Sequence, residues 1–241
     1  MVVFPLLAAG VSALFAALLF AQFRRRRRLP QLAWGLALSQ YAIASLAVAA
    51  GIGGGWDPTL YRVFWLFGAL LNVPWLALGS IALLGKRGVS IATLALVAIG
   101  TVWGVVAVAK AQINDRALLT RQIPAGRDVL MIAGSSPRSY DPARGLARVY
   151  SLPSFAIVVG IAALSGRRRE GVRPPIERVR ANWIIAAGVT LNAIGGFALV
   201  SKGRGGPFSV VLAASVITMF GGFVMASRSS MAARMLGQEA G

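Results

Sequence analysis

Two asparagines set within long apolar runs, Asn72 in LFGALLNVPWLALGS and Asn192 in WIIAAGVTLNAIGGFALV, are the residues best placed to do polar chemistry away from water. A carboxamide in an apolar medium needs hydrogen-bond partners, because leaving its donors and acceptors unmet costs several kcal/mol. Pro74 follows Asn72 by two residues. Its missing N–H frees the carbonyl of Leu70 and can kink a helix, so polar backbone and a polar side chain come to the same depth. The same kind of run carries Gln40, Tyr41, Thr101 and Thr190, with Ser39, Ser80, Thr93, Ser215 and Thr218 as lesser members. Asn72, Asn192, Gln40, Tyr41, Thr101 and Thr190 therefore form the candidate substrate-binding set, suited to a small uncharged polar molecule. Helix packing uses the same residue types, a buried amide joining neighbouring helices for about 1 kcal/mol, and the sequence leaves both roles open.

No Asp, Glu, Lys or Arg lies deep in an apolar run, which argues against a proton relay or carboxylate-coupled pump. The chain has neither His nor Cys. Disulfides, zinc sites built on those residues, and thiol or imidazole catalysis are excluded. Asp115, Asp128 and Asp141 are spaced 13 residues apart, with no phosphate-binding glycine loop or serine elbow between them. The last apolar run has no lysine for a retinal Schiff base. The expectation is a protein without metal or cofactor, and more a non-enzyme than an enzyme.

The elements that must position these residues follow from composition. Of 241 residues 57% are hydrophobic and 13% charged, against roughly a quarter charged in a soluble domain. This predicts an integral membrane protein. Apolar runs at about 2–23, 32–52, 60–84, 89–109, 149–165, 181–201 and 207–227 match the roughly 20 residues a helix needs to cross a bilayer, and they lack the alternation of barrel strands. The fold class is accordingly all-α, a single polytopic domain of seven transmembrane helices. The run at 149–165 is short and carries Pro153, so a re-entrant segment competes there.

Charge sets the orientation. Five arginines, Arg24 to Arg28, follow the first run with no basic residue before it. That is the reverse of a cleavable signal and a barrier to translocation. Alternating from there puts 15 basic and 3 acidic residues inside, against 10 and 4 outside. The N-terminus is predicted outside and the C-terminus inside, in the plasma (inner) membrane. The formal charge of +18 is thus topology and contact with anionic headgroups rather than nucleic-acid binding. Arg24, Arg25, Arg26, Arg27 and Arg28 with Arg167, Arg168 and Arg169 are the candidate lipid-binding residues.

Glycines and proline in GIGGGWDP (51–58) end a helix, KRG (86–88) makes a short inside hairpin, and KGRGGP (202–207) an outside one. The 39 residues from 110 to 148 form the one sizeable extramembrane region. Its first part predicts an amphipathic extension of the fourth span, and the whole is either a lid or binding loop or a plain connector. Trp34, Trp56 and Trp183 fall near interfaces and read as anchors; Trp75 and Trp103 lie deeper. Glycines at 100 and 104, at 188 and 196, and at 221 and 222 predict close contacts within the bundle, with homo-oligomer formation left open. FRRRRRLPQLAW and GRRREGVRPPIERVRANW share an order of features and fit a three-plus-one-plus-three repeat. A rival match of Leu71-Asn72 with Leu191-Asn192 would pair spans two to four with five to seven.

Residues 60–88, LYRVFWLFGALLNVPWLALGSIALLGKRG, with IPAGRDV and LARVYSLPS, resemble uncharacterised multi-spanning membrane proteins of high-GC Gram-positive bacteria. The Leu29-Pro30-Gln31 triplet weakly resembles the PQ-loop and sugar-efflux class, which implies seven spans and the same orientation. Here the Pro-Gln pair follows arginines at a span boundary, and Pro174-Pro175 lacks the Gln, so no substrate or binding residue is carried over. The functional expectation is a facilitative small-molecule transporter or channel with a neutral polar central site. The alternative is a membrane receptor, sensor or scaffold without transport.

Overall fold

A computed structural model describes residues 1–130, 142–164, 176–200 and 205–238. The chain is an all-helical, multi-pass membrane protein. Among the described residues six helices are long and apolar enough to cross a bilayer: Val3–Arg26, Leu29–Gly54, Pro58–Ala82, Arg87–Lys110, Pro142–Leu164, and Pro207–Ala226 within a longer helix. At 1.5 Å per residue each is about as long as the roughly 30 Å hydrocarbon core. We label α1 Val3–Arg26 and α2 Leu29–Gly54. The third rod is α3 Pro58–Phe64, a π-helical stretch Trp65–Leu71, and α4 Asn72–Ala82; α5 is Arg87–Lys110. After a 3-10 turn, Asp115–Leu118, come the short α6 Gly126–Val129 and then α7 Pro142–Leu164. Finally α8 Ile176–Gly195 runs on through a π-helical Gly196–Val200, and α9 is Gly205–Gln238.

Local chemistry sets the breaks. Gly55, at φ 103°, ends α2 in a conformation open to glycine. Asp57 then caps α3, its carboxylate accepting from the N–H groups of Thr59 (2.8 Å) and Leu60 (3.0 Å), with Pro58 in the first turn. Gly85, at φ 74°, makes the tight turn before α5, so that hairpin lies slightly earlier than the KRG triplet. Two expectations need correction. The fifth span starts at Pro142 and is a full 23-residue helix with Pro153 inside it; the re-entrant form is not adopted. The fourth span also does not extend into an amphipathic helix. It stops at Lys110, where Ala111 turns extended and its carbonyl accepts from Arg62 Nη2 at 3.1 Å.

Contacts at two or more heights give the relative directions. Phe20 packs on Gly35 and Val2 on Gly53, so α1 and α2 are antiparallel. Trp34 packs on Gly79 and Ala44 on Gly68, so the third rod is antiparallel to α2. Trp65 donates to Ala143 O and Ser151 to Ala69 O, while Ser80 and Leu83 share a cleft with Val158 and Ala162. Thus α7 runs parallel to the third rod. Gly195 meets Val211, Gly188 meets Ser215, and Gly222 meets Ala181, making α8 and α9 antiparallel. Neighbour pairs α1–α2, α2–α4, α4–α7, α7–α8, α8–α9 and α9–α1 close a ring. α5 stands outside it against α4 and α7, with Leu96, Val102 and Trp103 all more than 60% exposed. In this ring α2 and α8 are opposite members.

Candidate functional site: a polar crossing within the helix ring

Tyr41 projects from α2 across the ring. Its hydroxyl lies 3.1 Å from Asn192 Oδ1 on α8, and 2.9 Å from Ser215 Oγ and 3.0 Å from Leu212 O, both on α9. Tyr41 is 4% exposed and Ser215 wholly buried. Ser215 Oγ also reaches Leu212 O at 2.9 Å. Two hydroxyl hydrogens therefore serve the amide oxygen, the backbone carbonyl and each other's oxygen.

Asn72 is 2% exposed, and its Oδ1 has no partner among the described residues. The antiparallel register, Trp34 beside Gly79 and Ala44 beside Gly68, puts position 72 level with Gln40 and Tyr41. Gln40 Oε1 is likewise buried and unpartnered, as is Ser45 Oγ one turn beyond Tyr41. Each such atom costs about 1–3 kcal/mol unless water or a ligand meets it. The carbonyls freed near Pro74 are met: Ser151 Oγ of α7 donates to Ala69 O (2.9 Å) and lies 3.5 Å from Leu70 O.

Of the six substrate-binding candidates, Tyr41 and Asn192 are joined directly, and Asn72 and Gln40 lie at the same height. Among the described residues no hydrogen bond links the two asparagines. Thr190 is half-buried two residues before Asn192. Thr101 is not brought to the centre, because α5 is outside the ring; its hydroxyl donates to Val97 O (2.7 Å), which also accepts from Tyr150 Oη (2.8 Å). Arg24 to Arg28 form an exposed run at the end of α1, while Arg167, Arg168 and Arg169 lie outside the described residues.

At the end of the bundle opposite those arginines, residues 111–130 fold down as a cap. Ile113 bridges to Leu130, and Ile123, Val129 and Leu130 are buried. The cap sits against Trp56, Tyr61, Phe64 and Trp65, whose rings pack with Tyr61 at centroid distances of about 6 Å. Trp56 Nε1 donates to Gln122 O at 2.8 Å. Trp56 is therefore a buried clamp rather than an interface anchor, and Trp103 faces outward rather than lining a core or pocket.

No protein-family model, curated protein or solved structure matches the chain.

Proposed function

We propose that this chain crosses the plasma membrane seven times, N-terminus outside, and passes a small uncharged polar solute through the layer at Tyr41. The continuous helix Ile176–Val200 is long enough for a seventh crossing. The helix directions support it: α1 and α9 run parallel, as they would with an odd number of crossings. The geometry fits the three-plus-one-plus-three arrangement with α5 as the extra helix. Pair α1–α9 then corresponds to α4–α7, and α2 faces its counterpart α8. The single observation carrying the function is the Tyr41–Asn192 bond between these two halves, at the level of buried polar atoms that lack partners among the described residues. A thermal-shift series tests it: a neutral polyol or amide that binds the layer raises Tm in proportion to RT ln(1 + [L]/Kd). Asn72→Leu and Asn192→Leu remove that rise. A panel giving equal shifts in wild type and variants contradicts the site.

The second reading, a receptor, sensor or scaffold, is favoured by Ser151, which meets the carbonyls near Pro74 as packing would. Flux then is absent, and the same asparagines affect only stability.

Two expected outcomes arise from orientation. Leu119→Cys, on the exposed cap, should react with an impermeant thiol reagent on intact cells, whereas Lys86→Cys should react only after permeabilisation; equal labelling contradicts the orientation. Neutralising Arg24 to Arg28 together with Arg167 to Arg169 should reduce the anionic lipid retained in native mass spectra, each charge contributing about 1 kcal/mol at an anionic leaflet. Unchanged retention would leave these residues as topology signals alone.

A further inference from the structure

Both asparagines of the central site stand beside a departure from α-helical register. Trp65–Leu71 is π-helical and ends immediately before Asn72, while the π-helical Gly196–Val200 begins one turn after Asn192. Such turns are rare and recur at functional sites. Their i→i+5 bonds put one more residue into a turn than the i→i+4 bonds of an α-helix, so the third rod carries surplus chain on the cap side of Asn72. Both ends of that rod are anchored. Toward the cap, Trp65 donates to Ala143 O (3.4 Å), stacks on Tyr61 at 6.1 Å between ring centroids, and fills the space that a β-carbon on Gly126 would need. Toward the arginine end, Gly79 packs on Trp34, whose Nε1 donates to Leu76 O at 3.1 Å. Turning the rod as a whole would break both anchors. Moving the surplus along it turns only the residues that it passes.

Pro74 removes a hydrogen-bond barrier to that movement. In the π register residue 74 would donate to the carbonyl of residue 69, and in the α register to that of residue 70. Proline has no N–H for either. Ser151 Oγ on α7 lies 2.9 Å from Ala69 O and 3.5 Å from Leu70 O. One hydroxyl thus reaches whichever carbonyl the register leaves open, and the surplus can pass this point without breaking a backbone bond from residue 74.

We infer that the π-helical stretch of the third rod is a register switch, which turns the Asn72 amide into and out of the face that the rod presents to α2. Asn72 lies seven residues, about two turns, before Gly79 and so shares the face that meets Trp34. When the surplus moves past position 72, Leu71 takes the place that Asn72 holds and Asn72 takes that of Val73, a rotation of about 100°. Val73 lies seven residues before Ser80, on the face toward Val158 and Ala162 of α7. An amide is thereby exchanged for an apolar side chain at the level of Tyr41. A solute held by Asn72 favours one register, which makes the switch a regulator of the site. The inference rests on the central-site reading for the role of Asn72, but not for the two registers.

Amide hydrogen exchange read by mass spectrometry, on the full chain in proteoliposomes, tests the switch without any solute. Peptides covering 65–75 should exchange at least about tenfold faster than those covering 38–46 of α2, which lie at the same level, because a shifting register opens amides locally. Pro74→Ala supplies an N–H whose bond must break before the surplus can pass. It should slow exchange in 65–75 at least about fivefold, while Tm holds or rises. Ser151→Ala removes the hydroxyl common to both registers and should speed exchange there. Permeability to the neutral polyols and amides should fall in Pro74→Ala together with the exchange rate. Exchange in 65–75 no faster than in α2, or unaltered by either substitution, overturns the inference. So does a slowly exchanging Pro74→Ala protein that passes solute at the wild-type rate. The expected exchange in a protein without solute flux would sink the central-site reading and leave the register shift standing.

Discussion

Gly188→Leu should leave no monodisperse folded protein, whereas Gly221→Leu should behave like the wild type. A β-carbon on Gly188 would lie 2.6 Å from the Ser215 carbonyl oxygen and 3.0 Å from Met219 N, both backbone atoms of α9 that cannot swing aside. Gly222 repeats this at the other end of the same joint, 2.8 Å from Ala181 O. Gly221 is exposed with nothing within 4 Å. Overpacking a close contact costs typically 1–3 kcal/mol and more when backbone must move. Gly188→Leu forces α8 from α9, moving Asn192 off Ser215 and Tyr41. Size-exclusion profiles and Tm of the three leucine variants check this. Equal behaviour at 221 and 222 would contradict the α8–α9 packing.

The second large effect falls on function. Asn72→Leu and Asn192→Leu should each lower solute permeability by roughly tenfold or more, the equivalent of about 1.4 kcal/mol of lost interaction. Stability should change less. Asn72 Oδ1 has no partner among the described residues to lose, so the leucine removes an unmet acceptor and Tm should hold or rise. Asn192→Leu deprives Tyr41 of one acceptor, but Leu212 O remains at 3.0 Å, limiting the loss to about 1 kcal/mol. A packing amide gives the opposite pattern, a clear fall in Tm at Asn192 with no separate functional effect. Permeability and thermal unfolding measured on the same preparations separate the two.

The spans were legible because twenty apolar residues in a row have few other uses. Misplaced boundaries have a common cause. Residues 142–148, PARGLAR, look like loop for their arginines, yet Ala143 and Ala147 are buried while Arg144 is half-buried and Arg148 exposed. Basic side chains at a helix end can reach water along the helix. Which side of a span faces inward was not legible where the helix is apolar all round. Thr101 and Trp103 share α5 with the bundle-facing Gly100 and Gly104, and nothing in their neighbours' hydropathy marks the lipid side. Trp56 looked interfacial by depth, but its place is set by Gln122, 66 residues away in sequence. Asn72, Tyr41 and Asn192 were visible as polar groups in apolar runs. That Tyr41 would meet Asn192 depends on ring closure, which no local pattern encodes. Tyr150 and Ser151 were missed as polar contacts, although YSLPS stands at the start of the fifth apolar run.

Stopped-flow light scattering of proteoliposomes, challenged in turn with small neutral polyols and amides, tests the central claim most directly. Wild-type vesicles should re-swell faster than protein-free ones for at least one solute. Asn72→Leu and Asn192→Leu vesicles with equal protein content should approach the protein-free rate. Wild-type vesicles indistinguishable from protein-free vesicles across the panel, or leucine variants as fast as wild type, would contradict it.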